Sequence, residues 1–155
     1  MRNPHVLAYM ATRESGYGET TMAEFRRKTI GIAVVEHQGS YLIGIRPPGA
    51  SLAGFAEFPG GKCEAGEDPA AAAVRECLEE TGLRVEILEL ITRRLYEYAY
   101  GSVDLHFYLC HPLDAPDASH DLRGFRWENV SALRSLKFPD ANVPVLELLE
   151  QRARA

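Results

Sequence analysis

Glu76, Glu79 and Glu80 stand at i, i+3 and i+4 in a chain of 155 residues. On a helix, at about 100° per residue, Glu79 and Glu80 fall roughly 60° and 40° to either side of Glu76, so three carboxylates share one arc. Like charges at that spacing repel one another and weaken the helix that carries them. Water can relieve the repulsion, and most glutamate clusters are solvated faces of this kind. A hard, oxygen-binding cation relieves it too, and Mg²⁺ or Mn²⁺ suits the donor set. Three further features favour the cation: Arg75 beside Glu76, Glu67 earlier in the same segment, and a Gly60-Gly61 turn. Glycine backbone can come close to an anion. Carboxylates that hold a cation and activate water, next to such a backbone, suit hydrolysis of a phosphoanhydride, which asks little covalent participation of the protein.

Other routes have less support. Cys63 lies in a glycine-containing loop without a histidine partner in the sequence, which reads as a passive thiol. The five histidines are dispersed without metal-ligand spacing. Cys63, Cys77 and Cys110 are odd in number and form no CxxC pair, which argues against a disulfide framework or a zinc site and for a reducing cytosol.

The elements that must position these groups are legible in outline. Asp68 and Pro69 form a helix start, N-cap then N1, and Gly82 is a C-terminal stop. Within this helix Ala71, Val74 and Leu78 are expected to face the core, with Ala72 and Ala73 above the carboxylates leaving room for phosphates. Strands are expected over 29–35, 41–45, around 57–58, over 85–100 as one bent strand or two, over 103–110, and over 125–127. Asn142 and Pro144 open a terminal helix whose Val145, Leu148 and Leu149 share a face. Strands, helix, strands and helix with short turns imply an α/β (α+β) domain, a mixed sheet in an α/β/α sandwich.

Composition bounds the rest. With 46% hydrophobic and 25% charged residues the chain fits a single globular domain, and a net charge of −5 supplies no basic field for stable nucleic-acid binding. No apolar run is long enough to cross a membrane, and the start has no long apolar signal segment. Residues 1–21 are polar and Gly/Thr-rich, and are expected to be an extension outside a domain spanning 22–155, with Met22 an alternative start.

The segment GKCEAGEDPAAAAVRECLEETGL from Gly61 resembles the Nudix box, G-x5-E-x7-R-E-U-x-E-E-x-G-U, where U is bulky and apolar. Every fixed position is matched, with Cys77 the one soft departure at a U position. The resemblance implies an enzyme in which Glu76, Glu79 and Glu80 hold Mg²⁺ with help from the Gly60 carbonyl. It also implies that Glu67 pairs with Arg75, and that Glu67 or a helix glutamate activates water.

AEFPGGK at 56–62, Trp127 and FPDANVPVLELL at 138–149 extend the resemblance to the MutT-type nucleoside triphosphate pyrophosphohydrolases over about residues 28–150. Those enzymes remove oxidised guanine nucleotides, typically 8-oxo-dGTP, giving the monophosphate and pyrophosphate. By that likeness Asn142 reads the purine edge and Arg46 lies near phosphates or sugar. Glu57, Phe58, Pro59, Gly60 and Gly61 line the nucleotide pocket, and Asp121 assists the metal or the base. Asn142 as a plain helix cap, and Asp121 as a solvated loop residue, remain open on the residues alone. Gly101 stands where bacterial MutT proteins carry a basic residue, a contact that Arg93 or Arg94 could supply.

Two other readings stay in view. Tyr98 and Tyr100 fall near the spacing of a tyrosine found in diadenosine polyphosphate hydrolases, although Tyr96, Tyr98 and Tyr100 also fit a tyrosine-faced strand. A non-catalytic nucleotide-sensing module is the alternative of another class; such modules commonly lose box glutamates, and this chain keeps them. The partner expected is a nucleotide, with the protein a monomer or homodimer.

Overall fold

The computed structural model describes residues 27–98 and 101–155. The extension expected over 1–21, the alternative start at Met22 and Tyr100 lie outside the described residues, as does the side chain of Tyr98.

The first strand, β1 (Arg27–His37), is the spine. Ile30, Ile32 and Val34 feed one apolar cluster while Ala33 and Val35 feed another. Alternate residues of a strand point to opposite faces, so this strand requires cover on both. It pairs in parallel with β6 (Gly101–Pro112), which in turn pairs antiparallel with β5 (Val85–Tyr98). Near the Gln38-Gly39 turn β1 pairs antiparallel with β2 (Ser40–Ile45), but only over Glu36↔Tyr41 and His37↔Ser40. Further along the same strand β4 (Gly60–Lys62) pairs with it over Ile30↔Lys62 to Ile32↔Gly60. Beyond the turn β2 pairs with β3 (Ala56–Glu57) and with β7 (Arg126–Asn129). The order β3-β2-β1-β6-β5, with one parallel pair, is the mixed sheet expected.

Helix α1 (Pro69–Thr81) covers one face through Ala73 and Cys77, which join Val35, Leu42, Tyr108 and Cys110. A four-residue helix, α2 (Val130–Leu133), leads towards α3 (Val143–Arg154), whose Val145 and Leu149 cover the other face with Ile32, Phe58 and Phe107. The layering is therefore α/β/α.

Two local expectations are corrected and an open one is resolved. Gly60-Gly61 is not a turn but part of β4, where a Cβ on Gly60 would lie 2.6 Å from the Gly31 carbonyl oxygen, so glycine permits the close pairing. Val85–Tyr98 is one strand, with register shifts between Ile87 and Glu89 and between Leu90 and Thr92 that absorb its length. The core side of α1 is Ala72, Ala73, Cys77 and Thr81, with Val74, as expected, partly buried against the same cluster; Ala71 is exposed and Leu78 is 43% exposed. The reason is Gly31, where a Cβ would meet Pro69 O at 2.1 Å and Ala73 N at 2.8 Å. The helix backbone itself rests on β1, so small residues face the sheet, and Ala72 and Ala73 are fully buried rather than open to phosphates.

Candidate active site

Helix α1 is held at both ends by its own sequence. Asp68 accepts from Ala70 N at 2.8 Å, and Gly82 takes the left-handed conformation, its N–H donating to Leu78 O. Thr81 Oγ1 donates to Cys77 O and accepts from Leu83 N, tying the last turn to the chain that enters β5.

The docked helix lays Glu76 against β4. A Cβ on Gly61 would lie 2.3 Å from Glu76 Cδ, so the carboxylate occupies the space of the missing side chain. Arg75 organises the surrounding acids. Its Nε and Nη2 donate to the two oxygens of Glu67 at 2.8 Å each, a bidentate pair. Its Nη1 donates to Glu76 at 3.0 Å and, at 3.3 Å and 3.4 Å, to the two Glu79 oxygens. Nη2 also donates to Lys62 O on β4. Glu67 accepts in addition from Glu64 N, closing the loop ahead of the helix. The hydrogen bonds from Arg75, with that backbone donor, hold the Glu67 carboxyl at about 2 against an ordinary 4.5. The Glu67 carboxylate, and after it Glu76, raise the Arg75 guanidinium above its ordinary value.

Glu76 and Glu80 line an open cleft of about 430 Å³ with Arg46, Glu57 and Lys62. It lies where β2 leaves β1 and β4 takes its place, so its walls come from the end of β2, from β3, from β4 and from α1. Arg46 is only 8% exposed: its Nε donates to Ser51 O at 2.6 Å and its Nη1 to Glu57 at 3.1 Å. The structure thus brings together Arg46, Glu57, Gly61, Glu76 and Glu80. It adds Lys62, a cation that sequence reasoning quoted in AEFPGGK without giving it a role; its position just after the glycine pair was the available signal.

Other candidates are placed elsewhere. The Glu79 side chain is 57% exposed and turned to Arg75, not to the cleft. Phe58 is 2% exposed and packs on Phe138 with ring centroids 5.4 Å apart, and Pro59 is buried, its carbonyl accepting from Ala33 N. Asn142 is 3% exposed, and its side chain does not cap α3. A 3₁₀ turn over Asp140–Asn142 precedes that helix, and Asn142 Nδ2 lies 3.4 Å from Pro139 O. The segment is tied towards the cleft wall because Ala56 N on β3 donates to Lys137 O. Asp121 lies by the C-terminal end of α1, in a small cavity with Thr81, Gly82 and His120, where it accepts from Arg123 N. Arg93 is engaged by Asp104. Burial raises the Cys63 thiol, in keeping with a passive role.

As a donor set for a hard cation, Glu57, Glu76 and Glu80 fit: they are oxygen ligands lining one cleft, and the cradle above Gly61 leaves room for the Glu76 carboxylate. Among the described residues no three acidic, imidazole or thiol groups converge on one point. Arg75 draws Glu76 and Glu79 to itself, so ligation requires these side chains to turn.

A family profile for the NUDIX domain matches residues 25–149. The chain is 29% identical over 127 residues to an 8-oxo-dGTP diphosphatase of Escherichia coli (strain K12), covering 81% of this chain and 98% of that protein. It is 30% identical over 117 residues to a CTP pyrophosphohydrolase of the same organism, covering 74% and 85%. Among solved structures it is similar to the E. coli ORF135 protein, with a TM-score of 0.66, 26% identity and coverage of 88% and 96%.

Proposed function

Since the chain belongs to the Nudix family and is a hydrolase of that family, we propose that it cleaves a phosphoanhydride of a purine deoxynucleoside triphosphate in a Mg²⁺-dependent reaction. An oxidised guanine nucleotide such as 8-oxo-dGTP would yield the monophosphate and pyrophosphate. One observation carries the reading: Glu76, seated on Gly61, shares with Glu80 and Glu57 a cleft that also holds Arg46 and Lys62. The relative named as an 8-oxo-dGTP diphosphatase supports the substrate.

Glu57, Glu76 and Glu80 would hold the cation, which when bound supplies the positive charge that a polyphosphate needs against an acidic wall. Arg46 and Lys62 neutralise phosphate oxygens from the opposite sides of the cleft. Glu67 is a poor base at a pKa of about 2, and serves to brace Arg75 and the loop. Glu80 is the carboxylate we assign to accept the proton of the attacking water, because it lines the cleft. Asn142, buried without capping its helix, is assigned to the base edge through its paired donor and acceptor. We place the protein in the cytoplasm on the reading of its cysteines. None of the described helices is long and apolar enough to cross a membrane.

A panel of nucleotides with Mg²⁺, reading pyrophosphate against orthophosphate release, tests this function. Pyrophosphate release fastest from 8-oxo-dGTP supports it. Preference for CTP, the substrate in the name of one relative, or for diadenosine polyphosphates would overturn the substrate assignment. No turnover of any nucleotide would overturn the reaction.

A further inference from the structure

A second cavity, also of about 430 Å³, lies next to the cleft and shares Lys62 with it. Its chemistry is different. Its floor is Asp104 on β6, only 2% exposed, a carboxylate that receives two guanidinium groups. Arg93 from β5 donates through Nε at 2.8 Å and Nη2 at 2.6 Å, and Arg27 from β1 donates through Nη2 at 2.8 Å. The carboxylate cancels one positive charge and leaves the other. It also fixes both planar groups, so that Nη1 of Arg93, and Nε and Nη1 of Arg27, keep donors unspent among the described residues. Both arginine side chains are about half exposed, at 49% and 57%, so these donors are within reach of a ligand.

Two more polar groups border the cavity. Lys28, 4% exposed, lines it with Lys62, and burial together with the Lys62 charge lowers the Lys28 amino pKa. Crowded cations with depressed basicity are stabilised by an incoming anion. His106 Nε2 is buried and makes no well-angled hydrogen bond, although it sits 3.1 Å from Asp104 Oδ1. Glu64 and Glu67 also line the cavity, but Glu67 is neutralised by its bidentate pairing with Arg75. For the Asp104 carboxyl, burial pushes upward; hydrogen bonds from Arg93 and Arg27, with the His106 ring beside it, outweigh that and hold the group well below the ordinary range. The floor therefore stays ionised and keeps both arginines in place at any ordinary pH.

We propose that this cavity is a second anion site, in which Arg27 and Arg93, aligned by Asp104 and joined by Lys28 and Lys62, bind a phosphoryl oxyanion of the pyrophosphate class. A tetrahedral oxyanion offers several acceptors to the fork-shaped donors that Asp104 leaves unused. Because Lys62 borders both cavities, the anion is either pyrophosphate after release or the far end of a longer phosphate chain still in the cleft. The binding site stands apart from the proposed hydrolysis; only the choice between these two sources rests on that reading.

The test is calorimetric titration of the full chain with sodium pyrophosphate, in a chloride buffer containing EDTA and free of phosphate and sulfate. Binding is expected for the wild type. Arg93→Gln and Arg27→Gln should each weaken it by about tenfold or more, the scale of one lost charge-assisted hydrogen bond. Each variant leaves Asp104 one arginine, and an unchanged melting temperature in the absence of pyrophosphate shows that the fold is kept. Arg46→Gln, in the neighbouring cleft, should bind as the wild type does. No binding by the wild type, or binding untouched by both Arg27→Gln and Arg93→Gln, would overturn the proposal. Steady-state kinetics with Mg²⁺ then separates the sources. A higher inhibition constant for pyrophosphate with unchanged KM in Arg93→Gln assigns the site to the product, and a higher KM assigns it to the substrate chain.

Discussion

Glu76 lies where the side chain of residue 61 would be: a Cβ on Gly61 would stand 2.3 Å from its Cδ and 2.5 Å from its nearer oxygen. The glycine of β4 and the glutamate of α1 are thus two halves of one feature, which sets the carboxylate on the cleft floor. Gly61→Ala should push that carboxylate aside. Because the obstruction is the flexible end of a side chain, the melting temperature should change little while kcat falls by about 10- to 100-fold. A kcat equal to wild type would show that the seat of Glu76 does not matter to turnover.

Gly31→Ala should do the opposite. Here the added methyl meets helix backbone, Pro69 O at 2.1 Å and Ala73 N at 2.8 Å, and neither can swing away. The helix must lift from β1, at a cost of about 1–3 kcal/mol or more as for other overpacked cores. Denaturant unfolding measures this directly, and stability within experimental error of wild type would refute the docking argument.

The Glu67–Arg75 bracket predicts a pH dependence. The folded Glu67 carboxyl titrates at about 2 against an ordinary 4.5, so the folded state prefers it ionised. Its contribution is complete above pH 4.5 and is lost as pH falls towards about 2. Melting temperatures of the wild type and Glu67→Gln should therefore differ most above pH 4.5 and converge below it. A constant difference across that window would mean that the charge on Glu67 is not what stabilises the loop.

Removal of divalent cations with EDTA should abolish activity, and Mg²⁺ or Mn²⁺ should restore it. Glu80→Gln should lower kcat by about 100-fold or more. Glu79→Gln, whose side chain is 57% exposed and faces Arg75, should cost less, roughly tenfold on the same scale. Equal losses at the two positions would show that Glu79 turns into the cleft during turnover.

Asn142→Ala tests base recognition. The side chain does not cap α3, so its loss should cost little through the helix end. If it reads the base, kcat/KM should fall by roughly 5- to 150-fold for 8-oxo-dGTP, the scale of about 1–3 kcal/mol of lost hydrogen bonding, and much less for a pyrimidine nucleotide. A uniform change across nucleotides would return Asn142 to a structural role.

Much of this protein was legible in its sequence because it is written in local rules. Asp68-Pro69 and Gly82 bound a helix through caps that involve only their near neighbours, and the structure places the helix at Pro69–Thr81. The crowded glutamates follow from spacing along that helix, and the Glu67–Arg75 pairing was implied by the resemblance to the Nudix box. The β-branched, apolar run over 29–35 read as a strand, which the structure places within Arg27–His37. What the sequence left open depends on contacts between distant segments. Alanine occupies both sides of α1, so periodicity does not say which side is buried; the bare backbone at Gly31, some forty residues earlier, decides it. That rotation settles which glutamates see the cleft, turning Glu76 and Glu80 inward and Glu79 towards solvent and Arg75. Lys62, Arg27, Arg93 and Asp104 look unremarkable as single residues. They become two adjoining cation-lined cavities only because β1 shares one edge between β2 and β4 and pairs its other edge with β6, which gathers charges from across the chain.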